Sequence, residues 1–333
     1  MLVLALVVFI FRPGSYLPVP YVIMLLPFAA LLVAGVAAWG VHKSLAGRGF
    51  PRAAGIGVTA AALAFAVVAA PLWTSQLRGF LLVDLDAPSV QAQDWVEQNV
   101  ERTDRLIVDD AMWVDLVDAG FEPDNVIWYY KLDMDTDVML ASPNGWQDSD
   151  YIITTDSMRT FPELFPQVNG ALENSEIVAS FGSGSQAVDV RHIYPEGLGA
   201  RTETIASQVA GRAEIGLQIA ANPSLDLSAD AESHLAAGQV DARAMVALVQ
   251  SASGVDLTAS FPAVPGEDGI IRRQLLISEI DGVSLTPGSP EAVALETRLD
   301  GAEGVFAPST VEQTEDGVLA TFSLEQPTGV LPG

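Results

Sequence analysis

Two hydrophobic patterns divide this chain, and they meet near residue 84. Val19 to Val41 runs for about 23 residues without a charge. A helix of that length, at ~1.5 Å per residue, covers a ~30 Å hydrocarbon core. Ile56 to Trp73 is a second uncharged run, rich in alanine. Leu2 to Phe11 is apolar as well, but ten residues are too few to cross alone. The pattern therefore predicts two full membrane spans and a partial one within residues 1–73, followed by a juxtamembrane connection over 74–83. No Lys or Arg precedes Leu2, and Arg12-Pro13-Gly14 follows the run, which argues against a cleaved signal peptide. The expectation is a helix cut at Met1, with sequence missing upstream or a start assigned too late.

From Ser89 onward short apolar runs alternate with amphipathic ones. Ser89 is an expected N-cap for a helix over Val90 to Val100 carrying Trp95 and Val96. Leu106-Ile107-Val108 reads as a buried strand ending at Asp109-Asp110, and Met112 to Ala119 as a helix stopped by Gly120. Val126–Tyr130 and Tyr151–Thr154 read as strands, Pro162–Leu172 as a helix, and Glu176–Phe181 with Ala187–Ile193 as two closing strands. Strands interleaved with helices predict a three-layer α/β domain over 84–197. Residues 198–333 predict a smaller α+β domain. It has helices over Thr202–Ala221, Ser228–Ala237, Asp241–Ser251 and about Pro290–Leu299. Its strands are expected at Val255–Phe261, Arg273–Ile280, Gly304–Phe306 and Val318–Leu324. Pro195-Glu196-Gly197-Leu198-Gly199 is the expected linker.

Charge sharpens this division. No Asp or Glu occurs before Asp84, and Met1–Trp73 holds only Arg12, Lys43, Arg48 and Arg52. All 42 acidic residues lie from Asp84 on, so the two parts carry about +4 and about −30. The basic loop between the two runs predicts a cytoplasmic side for that loop, and an extracytoplasmic side for everything after Trp73. Such an acidic region repels phosphate polyanions, which excludes nucleic acid as a partner. With no cysteine in the chain, disulfides, thiolate metal sites and Cys nucleophiles are excluded.

Several residues bear on chemistry. Asp133, Asp135 and Asp137 have the spacing of the first ligands of a calcium loop. Val138 and Asn144, however, stand where its Gly and Glu belong, so a solvated acidic loop is the favoured reading and a divalent cation the only cofactor considered. Asp109 and Asp110 follow a predicted strand, with Asp115 and Asp118 nearby, at the kind of edge where open α/β sheets bind ligands. Helix-start capping and surface charge explain them more simply, and that is the favoured reading. His192 and His234 have no partner at ligand spacing and read as structural. Gly182 to Ser185 lacks the ending of a phosphate loop. Arg12, Tyr16 and Tyr21 place one cation and two phenols beside the Val19–Val41 run. They read either as an anchor turn or as contacts to a lipid phosphate.

The segment Arg12-Pro-Gly-x-Tyr16-Leu-Pro18-x-x-Tyr21, followed by Leu26-Pro27-Phe28, resembles late membrane spans of actinobacterial family 39-type glycosyltransferases. These are GT-C enzymes similar to protein mannosyltransferases and aminoarabinose transferases. Trp95-Val-x-x-Asn99, Val108-Asp-Asp110, Trp113-Val-Asp115, Trp128-Tyr-Tyr-Lys131-Leu-Asp133, Asp150-Tyr151 and Ser180-Phe181-Gly182 resemble their extracytoplasmic part. Ala221-Asn222-Pro223, Gly238-x-Val-Asp241-x-Arg243 and Phe261-Pro-Ala with Pro265-Gly-Glu267 resemble a segment found beyond it. The resemblance implies transfer of a sugar from a polyprenyl-phosphate carrier to an envelope glycan or protein acceptor, at the cell membrane. Family members carry their catalytic carboxylate in the first outward loop. This chain has no acidic residue before Asp84, so no catalytic residue carries over. The expectation is the C-terminal part of such an enzyme, inactive as it stands. The alternative is a membrane-anchored binding or scaffolding module of the cell envelope.

Overall fold

A computed structural model describes residues 19–46, 48–82, 86–160 and 164–326. The chain divides into two compact units, 1–84 and 85–333.

The first unit is a helical hairpin. Helix α1 (Val19–Ala46) and helix α2 (Phe50–Leu82) are joined through Gly49. They meet closely at small residues. A side-chain carbon on Gly55 would lie 2.6 Å from the backbone nitrogen of Ser44, so only glycine permits this approach. Among the described residues, no helix is long and apolar enough to cross a membrane. This corrects the expected two full spans and a partial one. Each helix carries a proline within it, Pro27 or Pro71, and a cation, Lys43 or Arg52. The expected partial span at Leu2–Phe11 lies outside the described residues.

The second unit has mixed α/β content and two sheets. In the first sheet the strand order is β2 (Val126–Trp128), β1 (Leu106–Val108), β3 (Tyr151–Thr154), β5 (Val188–Ile193), β4 (Ser175–Phe181). β1 pairs parallel with β2 and β3, and β5 runs antiparallel to both β3 and β4. Alternation along β1 and β3 shows how this sheet is covered on both faces. Leu106, Val108, Tyr151 and Ile153 point into one core with Trp95 and Phe121. Ile107 and Ile152 point into the other with Leu132, Met158 and Val168. Short strands buried on both sides, three residues in β1 and four in β3, read as nearly unbroken apolar runs, because each face has its own helical layer.

The first core is covered by α3 (Ala87–Asn99) and α4 (Trp113–Asp118). Helix α3 starts at Ala87 rather than Ser89. Pro88 presets the helical φ in its first turn, and the residue before the helix, Asp86, makes no capping bond. The second core is closed by α5 (Lys131–Met134), α6 (Thr136–Ala141), α7 (Asp156–Thr160) and α8 (Pro166–Glu173). The expected strand over Val126–Tyr130 is shorter. The ladder ends at Trp128, Tyr129 N donates to Val108 O at 2.9 Å, and the chain then turns into α5.

After Gly197 the long helix α9 (Leu198–Ala220) leads to a second sheet. Its order is β10 (Thr310–Thr314), β11 (Gly317–Thr321), β8 (Gln274–Ile280), β7 (Leu257–Ser260), β6 (Leu225–Leu227), with β9 (Val283–Ser284) also paired to β8. Its helices are α10 (Ala229–Ala236), α11 (Ala242–Ser251) and α12 (Pro290–Asp300). Three of these starts are capped by side chains: Ser228 on Ala231 N, Asp241 on Arg243 N and Ser289 on Ala292 N. Gly304–Phe306, expected as a strand, is a 3-10 turn. It lies between Gly304 at φ 64° and Pro308, which leave no room for a ladder.

The two sheets share a buried polar seam. Arg273 donates to both oxygens of Glu267, at 2.7 and 2.8 Å, and to Phe322 O. From the first half, Trp95 Nε1 donates to Glu267 Oε1 at 2.8 Å, and Asn99 Oδ1 accepts from Arg273. Glu267 and Arg273 are 2% and 5% exposed, so neither charge reaches bulk water. Beside them Gly266, at φ 88°, lies against the Phe181 ring, where a Cβ would come within 2.4 Å. Gly266 O also accepts from Ser180 N at 2.8 Å.

Candidate functional site

The carboxyl ends of β1, β2 and β3 converge on one edge of the first sheet. β1 lies between β2 and β3, so the chain leaves it first toward one neighbour and later returns to the other side. Crevices of this kind are where open α/β sheets hold ligands. Asp109 and Asp110 follow β1, Tyr129 and Tyr130 follow β2, and Thr155 follows β3.

These groups are tied together. Thr155 Oγ1 donates to Asp109 Oδ2 at 2.8 Å, and Asp109 Oδ1 accepts weakly from Ala111 N at 3.5 Å. The hydrogen bond from Asp109 raises the Asp110 carboxyl above its ordinary range, with burial and the Asp109 charge adding to it. Burial, then the charges of Asp109 and Asp110, push the Tyr129 phenol upward. Tyr130 is raised the same way.

An aromatic run borders the carboxyl pair. Trp113 meets Trp128 edge-on at 6.3 Å, Trp128 meets Tyr130 at 5.8 Å, Tyr130 meets Tyr129 at 5.4 Å, and Tyr129 meets Phe165 at 5.2 Å. Lys131 Nζ sits 4.1 Å over the Trp128 ring. Trp128 Nε1 is buried and has no hydrogen-bond partner among the described residues. Together the edge offers ring faces and a pair of adjacent carboxyls. That combination suits a neutral ring compound with hydroxyl groups. The apolar face of such a ring packs on aromatics, and its hydroxyls both donate and accept.

The other expected residues are dispersed. Asp133 accepts from Gln167 N through both oxygens at 3.2 Å, holding α8 against α5. Asp135 accepts from Asp137 N and Val138 N and so starts α6. Asp137 is exposed. Among the described residues, no group of three or more His, Asp or Glu side chains is arranged to hold a metal ion. Asp115 accepts from Gln93 at 3.1 Å, and Asp118 is exposed. Arg12 and Tyr16 lie outside the described residues, and Tyr21 contributes backbone to the first turn of α1. His234 contacts Gln239, Arg272 and Asp230. His192 is half-buried, stacked edge-on between Tyr151 and Tyr194, and burial lowers its affinity for a proton.

The aromatic edge was legible only in pieces. Val126–Tyr130 read as one strand, which would alternate its rings between two faces. Ending the ladder at Trp128 is what brings Trp128, Tyr129 and Tyr130 to one edge.

The chain was compared with protein-family models, with curated proteins and with solved structures, and it matches none of them.

Proposed function

We propose that residues 85–333 are the saccharide-recognition part of a glycosyltransferase that draws its sugar from a polyprenyl-phosphate carrier outside the cytoplasm. The observation that carries this reading is the edge where the adjacent carboxyls Asp109 and Asp110 lie beside the run Trp113–Trp128–Tyr130–Tyr129–Phe165. Several of the motifs that resemble the family fall on this edge or on the seam. Asp110, Trp113 and Trp128–Lys131 form the edge, while Trp95, Asn99, Phe181 and Glu267 form the seam. In this reading the carrier phosphate meets Arg12, Tyr16 and Tyr21. The reacting carboxylate is supplied by another part of the enzyme, because no Asp or Glu precedes Asp84.

The acidity of the unit favours an uncharged saccharide over a charged one at this edge. Two tryptophans make binding readable. Titration with neutral mono- and oligosaccharides should change the tryptophan emission of the full chain. Tyr130→Ala and Asp110→Asn should weaken that response by at least about tenfold, the scale of one or two lost hydrogen bonds or packed rings. Unchanged affinity in both variants would remove the reading. A second reading, an envelope-binding module that works without any transferase, is favoured by the same lack of acidic residues before Asp84. It would gain if saccharide binding is intact while Tyr130→Ala leaves sugar transfer in cells unaltered.

A further inference from the structure

The opposite edge of the first sheet opens into a cleft of about 630 Å³ between the two halves of the 85–333 unit. Tyr151 begins β3, and the ladder places His192 opposite both Tyr151 and Glu176, so the cleft lies at the amino end of β3, away from Asp109. Its volume is in the range of small-molecule sites, roughly 300–1,000 Å³. One wall is a ladder of rings. His192 meets Tyr151 at 5.0 Å and Tyr194 at 4.9 Å, and the Arg201 guanidinium lies 4.6 Å over Tyr194.

The opposite wall carries Arg212, which is only 5% exposed. Nε donates to Gly238 O at 2.9 Å and Nη1 to Gln326 Oε1 at 3.3 Å, and both acceptors are neutral. Nη2 has no hydrogen-bond partner among the described residues. No described carboxylate lies within 4.0 Å of this guanidinium. Of the acidic side chains at the cleft, Glu325 is exposed at its rim, Glu196 lies 3.7 Å from Arg201, and three others are committed to partners. Asp241 holds Arg243 through both oxygens, Glu267 holds Arg273, and Glu176 accepts from Tyr194 Oη at 3.1 Å. A buried guanidinium without a contacting carboxylate is costly: burial lowers the hold of Arg212 on its proton, and the more distant charge of Asp241 offsets this only in part. The charge is balanced if an anion enters the cleft.

We propose that this cleft is a second binding site, for a small sugar that carries one anionic group, a carboxylate or a phosphate. Arg212 takes the anion and Arg201 assists from the mouth. Tyr194 and His192 pack on the sugar ring, and Gln208 and Gln239 bond to its hydroxyls. The strongly acidic exterior excludes extended polyanions, which restricts the site to compact ligands. The two edges of one sheet then divide the work: a neutral saccharide at Asp110 and a charged one at Arg212.

The test uses the full chain and isothermal titration with glucuronate, glucose 1-phosphate, glucose and inorganic phosphate. At least one of the two charged sugars should bind at least tenfold more tightly than glucose and than inorganic phosphate. Which of the two wins identifies the anion. Raising the salt should weaken that binding. Arg212→Gln should abolish it, and Arg212→Lys should restore part of it. If Arg212→Gln fails to fold, Arg201→Ala and Tyr194→Ala, both at the more accessible wall, should each weaken it about tenfold. Asp110→Asn should leave it unchanged, which separates this site from the one at the carboxyl edge. Equal binding of glucose, equal binding of bare phosphate, no binding of either charged sugar, or full binding by a folded Arg212→Gln protein would each overturn the proposal.

Discussion

The two units of this chain use the same kinds of side chain in opposite ways. In the hairpin, Phe28, Leu31 and Val67 are 57%, 71% and 72% exposed. In the 85–333 unit, Phe121, Leu106 and Phe322 are at most 2% exposed. Both regions are rich in apolar residues, so composition does not separate them. A second layer does. The sheets of 85–333 have helices to pack against, whereas among the described residues each hairpin helix packs on the other and meets it along a narrow line at Gly40 and Gly55. A helix that is apolar all round can bury only one stripe against one neighbour. The rest stays exposed, and an exposed apolar area of this kind marks a surface for contact with something further.

The sharpest way to break this comparison is a pair of truncations. Phe322→Ala removes a ring from the closed core of the second sheet and should cost about 3–5 kcal/mol in denaturant unfolding. Leu31→Ala on the hairpin should change stability by less than about 0.5 kcal/mol. Similar losses from the two would mean that the hairpin also has a closed core.

The seam offers the next largest effect. Glu267→Ala strands Arg273 in a buried site and should cost about 3 kcal/mol, near the lower end for a broken buried pair, because Asn99 and Phe322 O still accept from the guanidinium. Urea melts followed by tryptophan emission would report it, since Trp95 loses its partner as well. A loss below about 1 kcal/mol would show that the two halves are joined by apolar contact alone.

A smaller effect concerns pH. Burial, aided by Asp150 and Glu101, pushes the Asp104 carboxyl up to about 6 from 3.8. The folded state therefore binds this proton more tightly than the unfolded chain does. The resulting stability is present below about pH 4 and is lost as pH rises through about 6. Asp104→Asn should flatten the fall in melting temperature between those values and raise stability at pH 7, by less than about 1 kcal/mol once solvent screening is allowed for. An unchanged pH profile would assign the slope to other groups.

Local pattern carried much of the 85–333 unit. Unbroken apolar runs at Leu106–Val108 and Tyr151–Thr154 announced strands buried on both faces, and Asn222-Pro223 announced the end of α9. It missed β6 and β10. Leu225–Leu227 is three residues with a polar centre, and Thr310–Thr314 is a polar strand held by its partner β11. The β8–β9 hairpin had a readable signal in Asp281-Gly282, which takes the left-handed φ values of 51° and 74° that a two-residue turn requires.

What the linear order of residues determined was charge and period: an acid-free, apolar start, a strongly acidic remainder, and alternation between strand and helix over 85–333. These are local properties, and each needs only a few neighbours along the chain. The tertiary structure alone decided which side chains meet. It brought Trp95 to Glu267 across 172 positions and Asn99 to Arg273 across 174. It gathered Asp109, Tyr129 and Thr155 from three separate strands, and it left Arg212 buried with neutral partners only. The reason is physical. A hydrogen bond or a desolvated charge depends on distances between elements, and those distances are set when two sheets pack together.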